Sequence, residues 1–180
     1  PTDLTQQSRS LVGLGGGKDS LVVAQLLKDH NKTFDTFIVE TQHSYSFIDE
    51  LNAKLGKEPL VVKRSIDPKL IELNKNADTY NGHIPISAIY GAIGILLAVV
   101  YDYSSVVVGN ERSSDIGNTT FHGKEINHQW SKSQAFETLF QNFIHNTISP
   151  QLNYLSLLRP LSEMQVMKLF TKSPEYLSLF

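Results

Sequence analysis

Leu11-Val12-Gly13-Leu14-Gly15-Gly16-Gly17-Lys18-Asp19-Ser20 reads as a short apolar strand that runs into a glycine turn and then into a helix. Consecutive glycines let the backbone turn sharply and bring its N–H groups against an anion. A helix starting directly behind them adds free N–H donors and the positive end of its dipole. In such a cradle Gly15, Gly16 and Gly17 supply amides, Lys18 supplies charge, and the Ser20 hydroxyl can donate to a phosphate oxygen. Asp19 fits beside phosphates if it holds a magnesium ion or ties the loop down. Two familiar phosphate loops are excluded. The Walker ending Gly-Lys-Ser/Thr is absent, and position 18, where the dinucleotide fingerprint needs its last glycine, is Lys18.

Outward from this turn, short apolar runs alternate with helical patterns. Thr36–Val39, Leu60–Val62 and Val106–Val108 read as further strands, with Leu155–Leu158 as a candidate fifth. They are continuous rather than alternating, as expected of strands covered on both faces. Residues 20–30 follow the first strand as a helix, Phe47, Leu51 and Leu55 recur at helical spacing, and Phe136, Leu139, Phe140, Phe143 and Ile144 form one stripe. Pro85–Tyr101 is apolar nearly all round and reads as a buried helix, with Gly91 and Gly94 permitting close approach to the sheet. Ser131 with Gln134, and Ser162 with Gln165, have the spacing of capping boxes. Strand, helix, strand in succession implies parallel strands joined by right-handed crossovers. The predicted fold class is therefore α/β, an open doubly wound parallel five-stranded sheet with helices on both faces. Such sheets bind ligands at the carboxyl ends of their strands, where strand order reverses.

A chain of 180 residues forms one domain and buries roughly two-thirds of its unfolded surface. It has no cysteine, so it carries neither disulfides nor thiolate metal sites, which fits a cytoplasmic protein. The net charge of -2 offers no basic excess for a nucleic-acid backbone, so no nucleic-acid partner is expected. The uncharged run Ile86–Val100 is 15 residues, short of the roughly 18 to 20 that span a bilayer, so no membrane partner is expected either. Pro1 in place of Met and the apolar ending Tyr176–Phe180 read as the edges of a piece cut from a longer protein.

Three more segments belong to the carboxyl edge. Gly109-Asn110-Glu111-Arg112 leaves the fourth strand there; Gly109 and Asn110 are candidates for nucleotide contact, Glu111 for a metal or substrate, and Arg112 for a phosphate or carboxylate. Asn81-Gly82-His83-Ile84-Pro85 opens the buried helix and brings His83 near the same edge. Gly123–Ser133 is a polar stretch ahead of a helix, in which Glu125, Asn127, His128, Ser131 and Lys132 could all reach a polar, anionic substrate. Arg159 ends the candidate fifth strand and can reach the same edge.

The glycine turn resembles the PP-loop of N-type ATP pyrophosphatases, Ser-Gly-Gly-x-Asp-Ser. Gly16, Gly17, Asp19 and Ser20 match, and Gly15 stands where that family has serine. Taken with Asn81–Ala88, Asn110–Ser113 and Asn127–Ser133, the sequence resembles the family of UDP-N-acetylmuramoyl-L-alanyl-L-glutamate epimerases over about residues 10–178. The resemblance implies an adenine nucleotide alpha hydrolase-like domain of PP-loop type. It also implies ATP and Mg2+ as cofactors, a UDP-muramoyl-dipeptide as the small-molecule partner, and inversion of the terminal L-glutamate in peptidoglycan precursor synthesis. ATP would be split to AMP and pyrophosphate. Under it Lys18, Ser20 and the loop amides hold phosphates, and Asp19 and Glu111 are candidate magnesium ligands. Arg112, Lys132 or Lys124 meets acidic groups of the substrate, and His83 or His128 serves as base or acid. The residues also leave room for another PP-loop chemistry, such as tRNA modification or amide formation, for a nucleotide-binding module without catalysis, and for flavoprotein-like or universal-stress-like nucleotide binding.

Overall fold

The apolar run before the glycines forms strand β1 (Gln7–Gly13), and helix α1 (Lys18–Asp29) starts directly behind them. The computed structural model describes residues 1–4, 6–41, 46–80, 82 and 84–179. Along the chain follow β2 (Phe34–Glu40), α2 (Ser46–Leu55), β3 (Leu60–Lys63), α3 (Pro68–Leu73), α4 (Ile86–Val100) and β4 (Tyr103–Val108). Then come a small hairpin, β5 (Thr119–Phe121) with β6 (Lys124–Ile126), and α5 (Gln134–Thr147), β7 (Asn153–Ser156) and α6 (Glu163–Phe170). The sheet has five parallel strands in the order β3-β2-β1-β4-β7. Strand order reverses between β1 and β4, which pair directly with Leu11 opposite Val106 and Val12 opposite Val107.

Successive β1 residues point to opposite faces, and both faces are covered. Val12 and Leu14 join α1, α2 and α6 in one core, closed by Tyr176. Leu11 packs into the other core with Ile95 and Ala98 of α4 and Ile144 of α5. Leu11 and Val12 are both wholly buried, which is why the strand reads as an unbroken apolar run. Burying each such side chain contributes roughly 1.5–3 kcal/mol. The two helix glycines act as expected. A Cβ at Gly94 would lie 2.9 Å from Val106, and one at Gly91 would lie 3.1 Å from Tyr154.

Several elements differ from the sequence reading. Helix α4 is not buried all round: Leu96 and Val100 stay 62% and 61% exposed. Only one side of a helix lying on a sheet can meet it, and here that side carries Gly91, Gly94, Ile95 and Ala98. Helix α5 is capped by Ser133, whose hydroxyl accepts from Phe136 N, while Ser131 lies inside the preceding 3-10 turn Trp130–Lys132. At the other predicted box Ser162 and Gln165 do cap α6 reciprocally. The fifth strand starts two residues early, at Asn153, because pairing to β4 runs from Ser105 opposite Asn153 to Val108 opposite Ser156. Part of the polar stretch 123–133 is strand rather than loop. His122 (φ 49°) and Gly123 (φ 73°) take the left-handed conformations of a two-residue hairpin turn. The pairing partners across it are Phe121 and Lys124. Helix α3 was not anticipated, although Asp67 caps it ahead of Pro68, an N-terminal signal.

Candidate nucleotide site at the strand switch point

The glycine turn lies at the carboxyl end of β1 and faces the loop that leaves β4. Leu14 N still donates to Phe37 O of the sheet at 2.9 Å. Beyond it the amides of Gly15, Gly16 and Gly17 find no acceptor among the described residues. Gly17 caps α1 without a side-chain hydrogen bond, so the first N–H groups of that helix are also uncommitted. A Cβ added at Gly15 or Gly17 would meet nothing within 4 Å, so the turn faces open space. Gly16 has φ 82°, which a side chain would strain. The Ser20 hydroxyl is turned back onto Gly17 O at 2.9 Å and braces the turn.

The loop from β4 is pressed against this turn. A Cβ at Gly109 would lie 2.9 Å from the Asp19 carbonyl carbon and 3.0 Å from its oxygen. Glycine at position 109 is therefore what lets the two loops meet. Lys18 Nζ lies 3.0 Å from Asp19 Oδ1 and 2.7 Å from Glu163 Oε1 at the start of α6. Burial alone would pull the Lys18 pKa down. Hydrogen bonds and charge from Glu163 and Asp19 outweigh it and hold the ammonium above its ordinary value.

Two hollows flank the turn. The first, about 430 Å³, is mostly apolar, with Phe37, Val39, Phe47 and Ile48 set beside Gly15 and Gly16. Ser87 and Tyr90 reach it from the first turns of α4, which confirms that this helix starts at the carboxyl edge. Ser87 belongs to the segment Asn81–Ala88 that carries the resemblance but has no role assigned from the sequence, and Tyr90 lies just beyond it; the uncharged opening of a crossover helix is the signal for both. The second hollow, about 330 Å³, is polar and contains Asp19, Gly109, Glu111, His128, Lys132 and Glu163. Asn110 lines both, and its carbonyl is held by the Ser156 hydroxyl at 2.5 Å.

The structure thus gathers most of the residues singled out in the sequence, with differences. Glu111 is buried, and its carboxylate accepts from Ser113 N at 2.7 Å and from the Ser113 hydroxyl, capping the 3-10 turn Arg112–Asp115. Arg112 is exposed and lines neither hollow; its amide donates to Leu161 O at 2.9 Å. His128 and Lys132 both face the polar hollow. Asn127 ties the hairpin strand to the 3-10 turn through Ser114 O at 2.7 Å. Glu125 accepts from Gly117 N, while Lys124 is exposed in β6. His83, like Asn81, lies outside the described residues.

The profile of the MurL N-terminal domain matches residues 1–157. The chain belongs to the MurL N-terminal domain family. Curated relatives of this family are UDP-N-acetyl-alpha-D-muramoyl-L-alanyl-L-glutamate epimerases. The one from Xanthomonas oryzae pv. oryzae (strain MAFF 311018) is 39% identical over 167 residues, 93% of this chain and 36% of the relative. The one from Micromonospora sp. is 38% identical over 168 residues, 93% of this chain and 37% of the relative. The chain thus spans somewhat over a third of the length of the curated relatives it matches. Among solved structures it is similar to the U34-tRNA thiolase NcsA of Methanococcus maripaludis, with TM-score 0.57 and 16% identity over 98% of this chain and 59% of that one. A predicted subunit of tRNA methyltransferase from Methanocaldococcus jannaschii matches with TM-score 0.55 and 19% identity over 91% of this chain and 75% of that one. These likenesses establish the family and the fold.

Proposed function

We propose that this domain binds ATP for an epimerase that inverts the terminal L-glutamate of UDP-N-acetylmuramoyl-L-alanyl-L-glutamate by way of an acyl-adenylate, releasing AMP and pyrophosphate. The observation that carries this reading is an uncapped helix start with three uncommitted glycine amides, set between an apolar and a polar hollow. The apolar hollow has the size and lining of a site for a flat base and its sugar. Asn110, shared by both hollows, sits where the inner phosphate would pass from one to the other.

In this reading the amides of residues 15–17, with Lys18, hold the outer phosphates. A carboxylate oxygen of the acceptor, seated in the polar hollow, attacks the α-phosphorus. The bond to the bridging oxygen breaks, and pyrophosphate departs with that electron pair. Adenylation removes the negative charge that makes a carboxylate's α-hydrogen so hard to abstract. A side chain in the polar hollow then takes the α-proton, and a proton returns to the opposite face. His128 and Lys132 are the residues on hand for this, with His83 a candidate from its place in the sequence. Arg112, exposed at the same edge, is a candidate partner for an acidic group further out on the substrate. Water finally cleaves the mixed anhydride to free the D-product and AMP.

Magnesium usually binds through one or two carboxylates plus substrate phosphates, and when bound there it would screen the phosphate charge. Asp19, beside the glycine turn, is the first candidate ligand, and its carboxylate would have to turn from Lys18 Nζ, 3.0 Å from Oδ1. Glu111 is the second candidate, and its carboxylate would first have to release Ser113. The test is to incubate the full-length polypeptide with ATP, Mg2+ and the UDP-muramoyl-dipeptide in deuterated water. The expected products are AMP, pyrophosphate and glutamate deuterated at Cα. Formation of ADP would reject α-phosphoryl chemistry altogether, and AMP without deuterium uptake would reject the epimerase.

A further inference from the structure

Arg159 follows β7 and lines neither hollow, yet its side chain is only 12% exposed and its donors reach three separate segments. One guanidinium nitrogen, Nη1, donates to Glu111 O at 3.3 Å and lies 3.5 Å from Asp115 Oδ2. The other, Nη2, donates to Lys132 O at 2.7 Å and to Glu137 Oε2 at 2.9 Å. Both carboxylates are anchored in turn: Glu137 Oε1 accepts from Ser156 N at 3.0 Å, and Asp115 Oδ1 accepts from Gln134 N at 2.5 Å.

Glu111 and Lys132 are the two wall residues whose main chains this fork joins. The walls themselves are short 3-10 turns, Arg112–Asp115 and Trp130–Lys132, outside the five-stranded sheet. The sheet therefore does not fix their separation. A planar guanidinium with five donors in fixed geometry can span several acceptors at once, whereas an ammonium is a point charge on a flexible stem.

We infer that Arg159 is the positioning residue of the polar hollow, setting the distance between its Glu111 and Lys132 walls and so its affinity for the acidic acceptor. This rests on reading the polar hollow as the acceptor's seat.

The variants Arg159→Lys and Glu137→Gln in the full-length polypeptide test it; the second releases one arm of the fork while leaving the guanidinium in place. Steady-state kinetics should show the KM for the UDP-muramoyl-dipeptide rising tenfold or more in Arg159→Lys, with the KM for ATP within twofold of its original value. Glu137→Gln should move in the same direction by less. Amide hydrogen exchange should speed up together at residues 112–116 and 130–133 in both variants and stay unchanged in the first half of α1. A side chain that only adds stability would lower the melting temperature and the active fraction while leaving both KM values alone. That result, a parallel rise in both KM values, or exchange that changes in one wall only, would overturn the inference. If the unaltered protein made no AMP from these substrates, the acceptor reading would fail. The exchange data would still decide whether Arg159 couples the two walls.

Discussion

Tyr103 shows how single side chains tie the sheet together at the edge away from the site. Its hydroxyl donates to Asp35 Oδ2 at 2.9 Å, and the Arg9 guanidinium lies over its ring at 4.1 Å. Burial first, and then the neighbouring Asp35 carboxylate, push its pKa up to about 12 from 10.0. The folded protein therefore holds this proton more tightly than the unfolded chain does. The associated stability is full below pH 10.0 and is lost as pH rises through about 12. Lys18, whose pKa is also raised, adds to the alkaline loss in the same sense. Urea midpoints measured from pH 9 upward (~1 unit below the tyrosine reference) should fall, and more gently in Tyr103→Phe; an unchanged slope would refute the assignment. Residues of the glycine turn were legible because three adjacent glycines before a helix have few other uses. Arg159 was legible only as an edge residue. Two of its four partners are main-chain carbonyls and two are carboxylates, all far away in sequence, and no spacing rule encodes them.

Between elements, the contact on which the site depends is the end of β4 against the start of α1. Gly109 has no side chain, and the Asp19 backbone occupies the space one would need. Gly109→Ala must push the two loops apart, since backbone atoms cannot rotate out of the way. Overpacking of this kind costs about 1–3 kcal/mol, and here it also shifts Asn110, which lines both hollows. The expected outcome is a tenfold or greater loss of ATP affinity by titration calorimetry, together with a lower urea midpoint. An alanine variant that binds ATP normally would show that the loops need not meet. Strands β1, β2 and β4 were readable because residues covered on both faces leave an unbroken apolar run. The hairpin β5–β6 was not, because its six paired residues are all exposed and carry no alternation. Pattern alone also misjudged α4: apolar content says that a helix has a face to bury, not that every face is covered. Among the described residues no helix is long and apolar enough to cross a membrane, in line with the short length of that run.

At the scale of the molecule, the fold does one thing for the chemistry. It reverses strand order between β1 and β4, so that two loops from adjacent strands face each other with an apolar hollow on one side and a polar one on the other. The alternation of strands and helices implied the parallel doubly wound sheet, because crossovers allow few alternatives, while the pairing of β1 with β4 is seen in the strand order itself. The division of labour between the hollows was not legible, since it depends on which side chains converge from α2, α4 and the 3-10 turns. In the proposed reaction the glycine turn grips the outer phosphates and leaves the α-phosphorus open to the acceptor's carboxylate. The most direct test is to supply the full-length polypeptide with ATP and acceptor labelled with oxygen-18 in the carboxylate beside the glutamate α-carbon. Mass spectrometry should then find the label in AMP, carried there by the oxygen that attacked the α-phosphorus. Label in inorganic phosphate accompanied by ADP would contradict the account, because it would mean that the outermost phosphorus was the one attacked.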